Sequence, residues 1–113
     1  MTAAPFRVGL LGHGTVGSAF AALLPDSAGA IESAVGRRPE IAGILTRSRG
    51  SFDEILASSD AIVELIGGIE PAREYALRTL GAGKPLVTAN KQLLSQHGDE
   101  LFAAARASGA QLR

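Results

Sequence analysis

The sequence predicts an α/β protein, a parallel β-sheet covered by helices, on three observations. Short apolar runs bounded by glycine or proline alternate with longer segments whose apolar residues recur every three to four positions. No hairpin turn signal joins neighbouring runs, so each return to the sheet has to pass through a helix, which makes the strands parallel. The third observation is a G-x-G-x-x-G placed directly after the first apolar run.

The elements follow in order. Phe6-Arg7-Val8-Gly9-Leu10-Leu11 is too short and too glycine-bounded for a helix and reads as a buried strand. From Thr15 the period becomes helical, with Val16, Phe20, Leu23 and Leu24 expected on one face. Pro25 is expected to interrupt that helix, and Pro25-Asp26-Ser27 to start a second helical segment through Val35. Gly36-Arg37-Arg38-Pro39 reads as a loop and Glu40 to Thr46 as a second strand carrying Ile41, Ile44 and Leu45. A polar, basic loop, Arg47-Ser48-Arg49-Gly50-Ser51, leads to a short helix from Phe52 to Ala57 with Ser51 as its N-cap. Ala61 to Ile66 is a third strand, closed by Gly67-Gly68. Glu70-Pro71 then opens a helix to about Leu80, with Gly81 to Gly83 past its end. Pro85 to Thr88 is a fourth strand, Gln96 to Ala107 a last helix, and Ala110 to Arg113 the start of a fifth strand.

The 113 residues correspond to one domain with one modest core. Hydrophobic residues make up 46% of the chain and charged residues 19%, the balance of a globular protein rather than a disordered one. Eleven Lys and Arg against eleven Asp and Glu leave no net charge to draw in a nucleic acid or a membrane surface, so an anionic ligand has to be captured locally. With no cysteine, a disulfide framework, a thiolate metal site and a cysteine nucleophile are all excluded. No apolar run approaches the ~20 residues of a membrane span, and the expected location is the cytoplasm. No metal site is expected.

A parallel doubly wound sheet binds ligands beyond the carboxyl ends of its strands, which directs attention to four loops. In Gly12-His13-Gly14-Thr15-Val16-Gly17, Gly12 permits the tight turn, Gly14 lets a pyrophosphate approach the backbone, and Gly17 lets helix and strand pack closely. Free N–H groups at the helix start, those of Thr15 and Val16 included, are expected to hold phosphates, with His13 at the rim. A ligand-free turn would not need three glycines at this spacing. The domain is therefore expected to be a Rossmann-type, three-layer α/β/α dinucleotide-binding fold over 1–113.

NAD-selective sites usually carry an acid at the end of the second strand. Here Arg47 comes first off that strand, with Arg49 behind it, and an arginine there can pair with a 2′-phosphate, so the expected cofactor is NADP or NAD with NADP favoured. Ile66 and Gly67 end the third strand where the nicotinamide side should pass. Lys91 follows Thr88-Ala89-Asn90 at a strand end just before a helix, where the helix dipole disfavours positive charge. Its ammonium could polarise a carbonyl oxygen or relay its proton during hydride transfer; a surface lysine on a short turn accounts for it equally.

Three segments, Val8 to Gly17, Val63-Glu64-Leu65-Ile66-Gly67-Gly68-Ile69-Glu70-Pro71 and Val87-Thr88-Ala89-Asn90-Lys91, together resemble the N-terminal domain of homoserine dehydrogenase, in that family's order and approximate spacing. The resemblance implies NAD(P)-dependent interconversion of aspartate 4-semialdehyde and L-homoserine, on the route to threonine, methionine and isoleucine. It assigns Thr15 and Val16 to the pyrophosphate, Arg47 to the adenosine ribose or its phosphate, and Ile66, Gly67 and Ala89 to the nicotinamide half, with Thr88 counted among the cofactor-binding residues. Lys91 matches the family's lysine at the junction of cofactor and substrate. The family's second lysine and its substrate-binding acids belong to a following catalytic and dimerisation domain, so the chain reads as a fragment that takes substrate only with that domain, from a parent expected to be a homo-oligomer. The stretch from Thr46 to Asp60 is shorter than the family pattern. Two other readings stay open: another amino-acid or sugar dehydrogenase with the same domain, and a stand-alone nucleotide sensor, which would have no need of Lys91.

Overall fold

The computed structural model describes residues 4–113. Four strands, β1 (Phe6–Leu11), β2 (Pro39–Leu45), β3 (Ala61–Glu64) and β4 (Leu86–Thr88), form one sheet in the order β2-β1-β3-β4. Every pairing is parallel. The helices α1 (Thr15–Val35), α2 (Phe52–Ser58), α3 (Ala72–Gly81) and α4 (Lys91–Ser108) alternate with them. The chain thus steps from β1 outward to β2, then back past β1 to β3 and on to β4. Right-handed crossovers in opposite directions put α1 on one face and the later helices on the other.

Neighbouring residues of β1 report both faces. Leu10 packs with Val8, Val63 and, from α1, Phe20 and Ala21. Leu11 joins the larger core with Phe52 and Ile55 of α2, Ala72, Ala76 and Leu80 of α3, and Leu93, Leu101 and Ala105 of α4. Burial of these side chains, at roughly 25 cal/mol per Å² of apolar surface, is the main force holding the three layers together. Gly9 lets α2 lie close, because a Cβ there would stand 2.6 Å from Ile55 and 2.5 Å from the Ser59 hydroxyl.

Five expectations are corrected. Helix α1 runs unbroken through Pro25, which lies inside it, so there is no second segment starting at Pro25. An interior proline costs a hydrogen bond, but packing continues across it: Phe20, Ala21, Leu24 and Ile31 are half-buried and Ala28 is fully buried. At 100° per residue Val16 and Leu23 fall off the face that Phe20, Leu24 and Ala28 pack, and they are exposed. Helix α4 begins at Lys91, five residues before the expected Gln96. The Asn90 side chain accepts the Leu93 N–H (3.0 Å) and starts the helix directly after β4, while a kink at His97 (φ −131°) breaks the helical period. The ladder of β3 stops at Glu64 rather than Ile66 because the Glu64 carboxylate takes the Ile66 N–H (2.9 Å) and turns the chain. Gly81 is the last residue of α3 rather than the first beyond it.

The remaining elements lie within a residue or two of expectation, and the Ser51 hydroxyl accepts the Glu54 N–H as the N-cap of α2. At the far edge Leu112 pairs parallel with Leu86, and Leu86 N–H donates to the Gln111 carbonyl (2.9 Å), the beginning of the expected fifth strand. Among the described residues, no helix is long and apolar enough to cross a membrane.

Candidate functional site

The strand registers place Leu45, Leu11, Glu64 and Thr88 side by side, so all four strands end on one row. The row is about 14 Å wide at ~4.8 Å per strand. Beyond it lie, in spatial order, the loop carrying Arg47, the glycine loop, the Ile66–Gly68 turn and the start of α4 with Lys91. The four loops singled out from the sequence therefore share one edge, at the point where the sheet order reverses between β1 and β3.

The glycine loop is built as its composition requires. Gly12 has φ +100°, in the region that favours glycine, and a Cβ there would stand 3.0 Å from the Leu65 backbone. Gly17 is buried, and its Cβ would stand 2.4 Å from the Gly12 carbonyl oxygen. The close approach expected of Gly17 is thus made to the turn itself. Gly14 is the N-cap of α1, exposed, with nothing within 4 Å of where a Cβ would be. No side chain caps α1, and no acid stands in its first turn. The Ser18 N–H is bonded to the Gly14 carbonyl (2.8 Å), so the N–H groups of Thr15, Val16 and Gly17 ahead of it have no partner in the helix. Thr15, Val16 and His13 are all exposed. This is a cradle of backbone donors open to an anion.

At the β2 end, the Thr46 hydroxyl accepts the N–H groups of Arg49 (3.0 Å) and Ser48 (3.3 Å), and the Thr46 N–H donates to the Arg49 carbonyl (2.9 Å). This tight turn presents Arg47, Ser48 and Arg49 to solvent. The ion pairs among the described residues use Arg7, Arg37, Arg38, Arg73 and Arg78, which leaves six basic residues without a carboxylate, Arg47, Arg49 and Lys91 at this edge among them. The edge therefore has unneutralised positive charge at both ends.

At the β4 end, Ile66 is half-buried, and Gly67 and Gly68 are exposed with φ +82° and +72°. Ala89 is exposed, and Lys91 is the exposed first residue of α4. Thr88 is half-buried, and its hydroxyl turns inward, donating to Glu64 (2.6 Å) and accepting the Asn90 N–H (3.1 Å). Two residues outside the expected set complete this corner, the fully buried Glu64 and the nearly buried Asn90. A lone carboxylate inside the apolar run Ala61 to Ile66 was the signal for the first, and an asparagine three residues ahead of Leu93 the signal for the second.

The Arg73 guanidinium, bonded to Glu100 across α3 and α4 (2.6 Å), holds the Glu100 carboxyl below its ordinary range.

The family model for the NAD binding domain of homoserine dehydrogenase matches residues 12–113. The homoserine dehydrogenase of Neisseria gonorrhoeae is 37% identical over 87% of this chain and 26% of its own length. That of Pseudomonas aeruginosa is 38% identical over 93% of this chain and 27% of its own length. The chain thus spans about a quarter of the curated relatives it matches. Among solved structures, a homoserine dehydrogenase from Thiobacillus denitrificans superposes with a TM-score of 0.91 at 34% identity, covering 99% of this chain and 30% of that one. A hyperthermophilic archaeal homoserine dehydrogenase in complex with NADPH shares the fold at a TM-score of 0.79 and 20% identity, over 96% of this chain and 43% of that one.

Proposed function

This chain belongs to the homoserine dehydrogenase family through its NAD-binding domain, and we propose that it supplies the cofactor-binding part of a cytoplasmic enzyme that interconverts aspartate 4-semialdehyde and L-homoserine. The observation that carries this reading is the single edge on which the uncapped glycine loop, the free Arg47 and the free Lys91 converge. The donor set fits a dinucleotide: unpartnered N–H groups at the start of α1 suit the pyrophosphate, and the open space over Gly14 lets it approach. In this reading the amides of Thr15 and Val16 hold the pyrophosphate. Arg47 binds the adenosine 2′-phosphate, and the backbone of Ile66, Gly67 and Ala89 flanks the nicotinamide half.

When bound, the nicotinamide supplies or accepts the hydride. Lys91 then has a task that a sensor would not need. Placed at the nicotinamide end, its ammonium donates a hydrogen bond, and then a proton, to the carbonyl oxygen that becomes the homoserine hydroxyl; in the reverse direction the amine takes that proton back. The substrate's other contacts come from the catalytic portion of the family's chain, and the parent is a homo-oligomer in this reading.

The test is calorimetric titration of the chain with NADPH and with NADH. Arg47→Ala should weaken NADPH by about tenfold or more, the scale of one charge-assisted hydrogen bond, and leave NADH within about twofold. Equal losses for the two would remove the 2′-phosphate role.

A further inference from the structure

We propose that Glu64 is the positioning residue of the nicotinamide end, locking the Ile66–Gly68 backbone and the start of α4 into one rigid corner. This rests on the cofactor-binding reading above. Glu64 ends β3 on the same face as the core residue Ile62, where the helix layer covers it and an apolar side chain would be expected. It is fully buried, so it touches neither solvent nor a ligand at the open edge. A carboxylate in that position persists only if donors surround it, and they do. One oxygen accepts the N–H groups of Ile66 (2.9 Å) and Gly67 (3.4 Å), and the other accepts the Thr88 hydroxyl (2.6 Å).

The contacts close into a ring. The Thr88 hydroxyl accepts the Asn90 N–H (3.1 Å), and the Asn90 amide nitrogen donates to the Gly68 carbonyl (2.5 Å). The Asn90 amide oxygen accepts the Leu93 N–H and caps α4 one residue before Lys91. Ile66 packs against the core, but Gly67 and Gly68 have positive φ and nothing within 4 Å of a Cβ, so packing does not hold the two glycines of this turn. The ring does. Its acceptor at the centre sets where the Ile66 and Gly67 backbone and the Lys91 ammonium stand relative to each other.

The test compares two ligands on two variants of the chain. NADPH reaches both ends of the edge, whereas adenosine 2′,5′-bisphosphate reaches only the Arg47 loop and the glycine loop and stops short of the nicotinamide end. Thr88→Val removes one hydroxyl from the ring at nearly constant shape, and Glu64→Gln removes the charge. Both should weaken NADPH by about tenfold and leave adenosine 2′,5′-bisphosphate within about twofold, with a cooperative thermal transition retained. A merely structural role would weaken both ligands together. Unchanged NADPH affinity, or equal loss of both ligands in a folded variant, overturns the positioning role while leaving the cofactor-binding reading intact. If the unsubstituted chain binds no NADPH, that reading fails and this one with it. Should neither variant fold, amide exchange in the unsubstituted chain decides. Ile66 and Leu93 should gain protection together with NADPH and not with adenosine 2′,5′-bisphosphate; protection with both ligands or with neither overturns the proposal.

Discussion

Gly14 and Gly17 stand three residues apart in one loop and should respond oppositely to the same added methyl group. At Gly17 the new Cβ would lie 2.4 Å from a backbone oxygen that cannot swing away, so Gly17→Ala should cost about 1–3 kcal/mol of stability, read as a lower denaturant midpoint. At Gly14 the space is empty, and Gly14→Ala should cost at most about 1 kcal/mol through poorer capping while sharply weakening NADPH. A stability loss at Gly14 as large as at Gly17 would mean that the space over Gly14 is not kept for a ligand. Lys91 calls for a kinetic comparison. In the chain joined to the catalytic portion of its family, Lys91→Ala should lower kcat by about 10²–10⁴ with the melting temperature nearly unchanged, because its side chain is exposed and unpaired. Turnover within a fewfold of the parent would exclude a proton-transfer role.

Between elements, α3 and α4 are joined by the Arg73–Glu100 pair, and the lowered acidity of Glu100 fixes the sign of its pH dependence. A carboxyl whose folded pKa lies below its ordinary 4.5 adds stability above that value and loses it as pH falls through the folded pKa. Glu100→Gln should therefore melt lower than the parent at pH 7, with the gap closing as pH falls below the ordinary 4.5 and through the folded pKa. A gap that persists or widens in acid would mean that the pair does not hold α3 to α4. The same pair of helices shows what the sequence hides. The start of α4 was masked because the break at His97 resets the helical period, leaving only Gln96 onward as a regular pattern. Pro25 misled in the opposite sense, since packing on both sides of it, by Leu24 and Ala28, overrides local propensity. The N-cap at Ser51, by contrast, depends on a contact three residues away and was legible from the sequence.

For the whole molecule, the parallel sheet followed from strand–helix alternation without hairpin turns, and the four edge loops followed from the strand ends. Arg47, Lys91 and the glycines could be picked out because the place of each at this edge follows from its own position beside a strand end. The ring of Glu64, Thr88 and Asn90 could not, since its bonds join positions 22 and 24 residues apart that only the folded sheet makes neighbours. In the proposed function, this one edge takes a dinucleotide along its length. Amide ¹H–¹⁵N shifts recorded while NADPH is titrated into the chain test it most directly. One-to-one binding is expected, with the largest shifts at Gly12 to Gly17, Arg47, Ile66 to Gly68 and Ala89 to Lys91, and little change at the opposite edge around Arg37 and Asp60. Binding that shifts the opposite edge instead, or no binding at all, would contradict it.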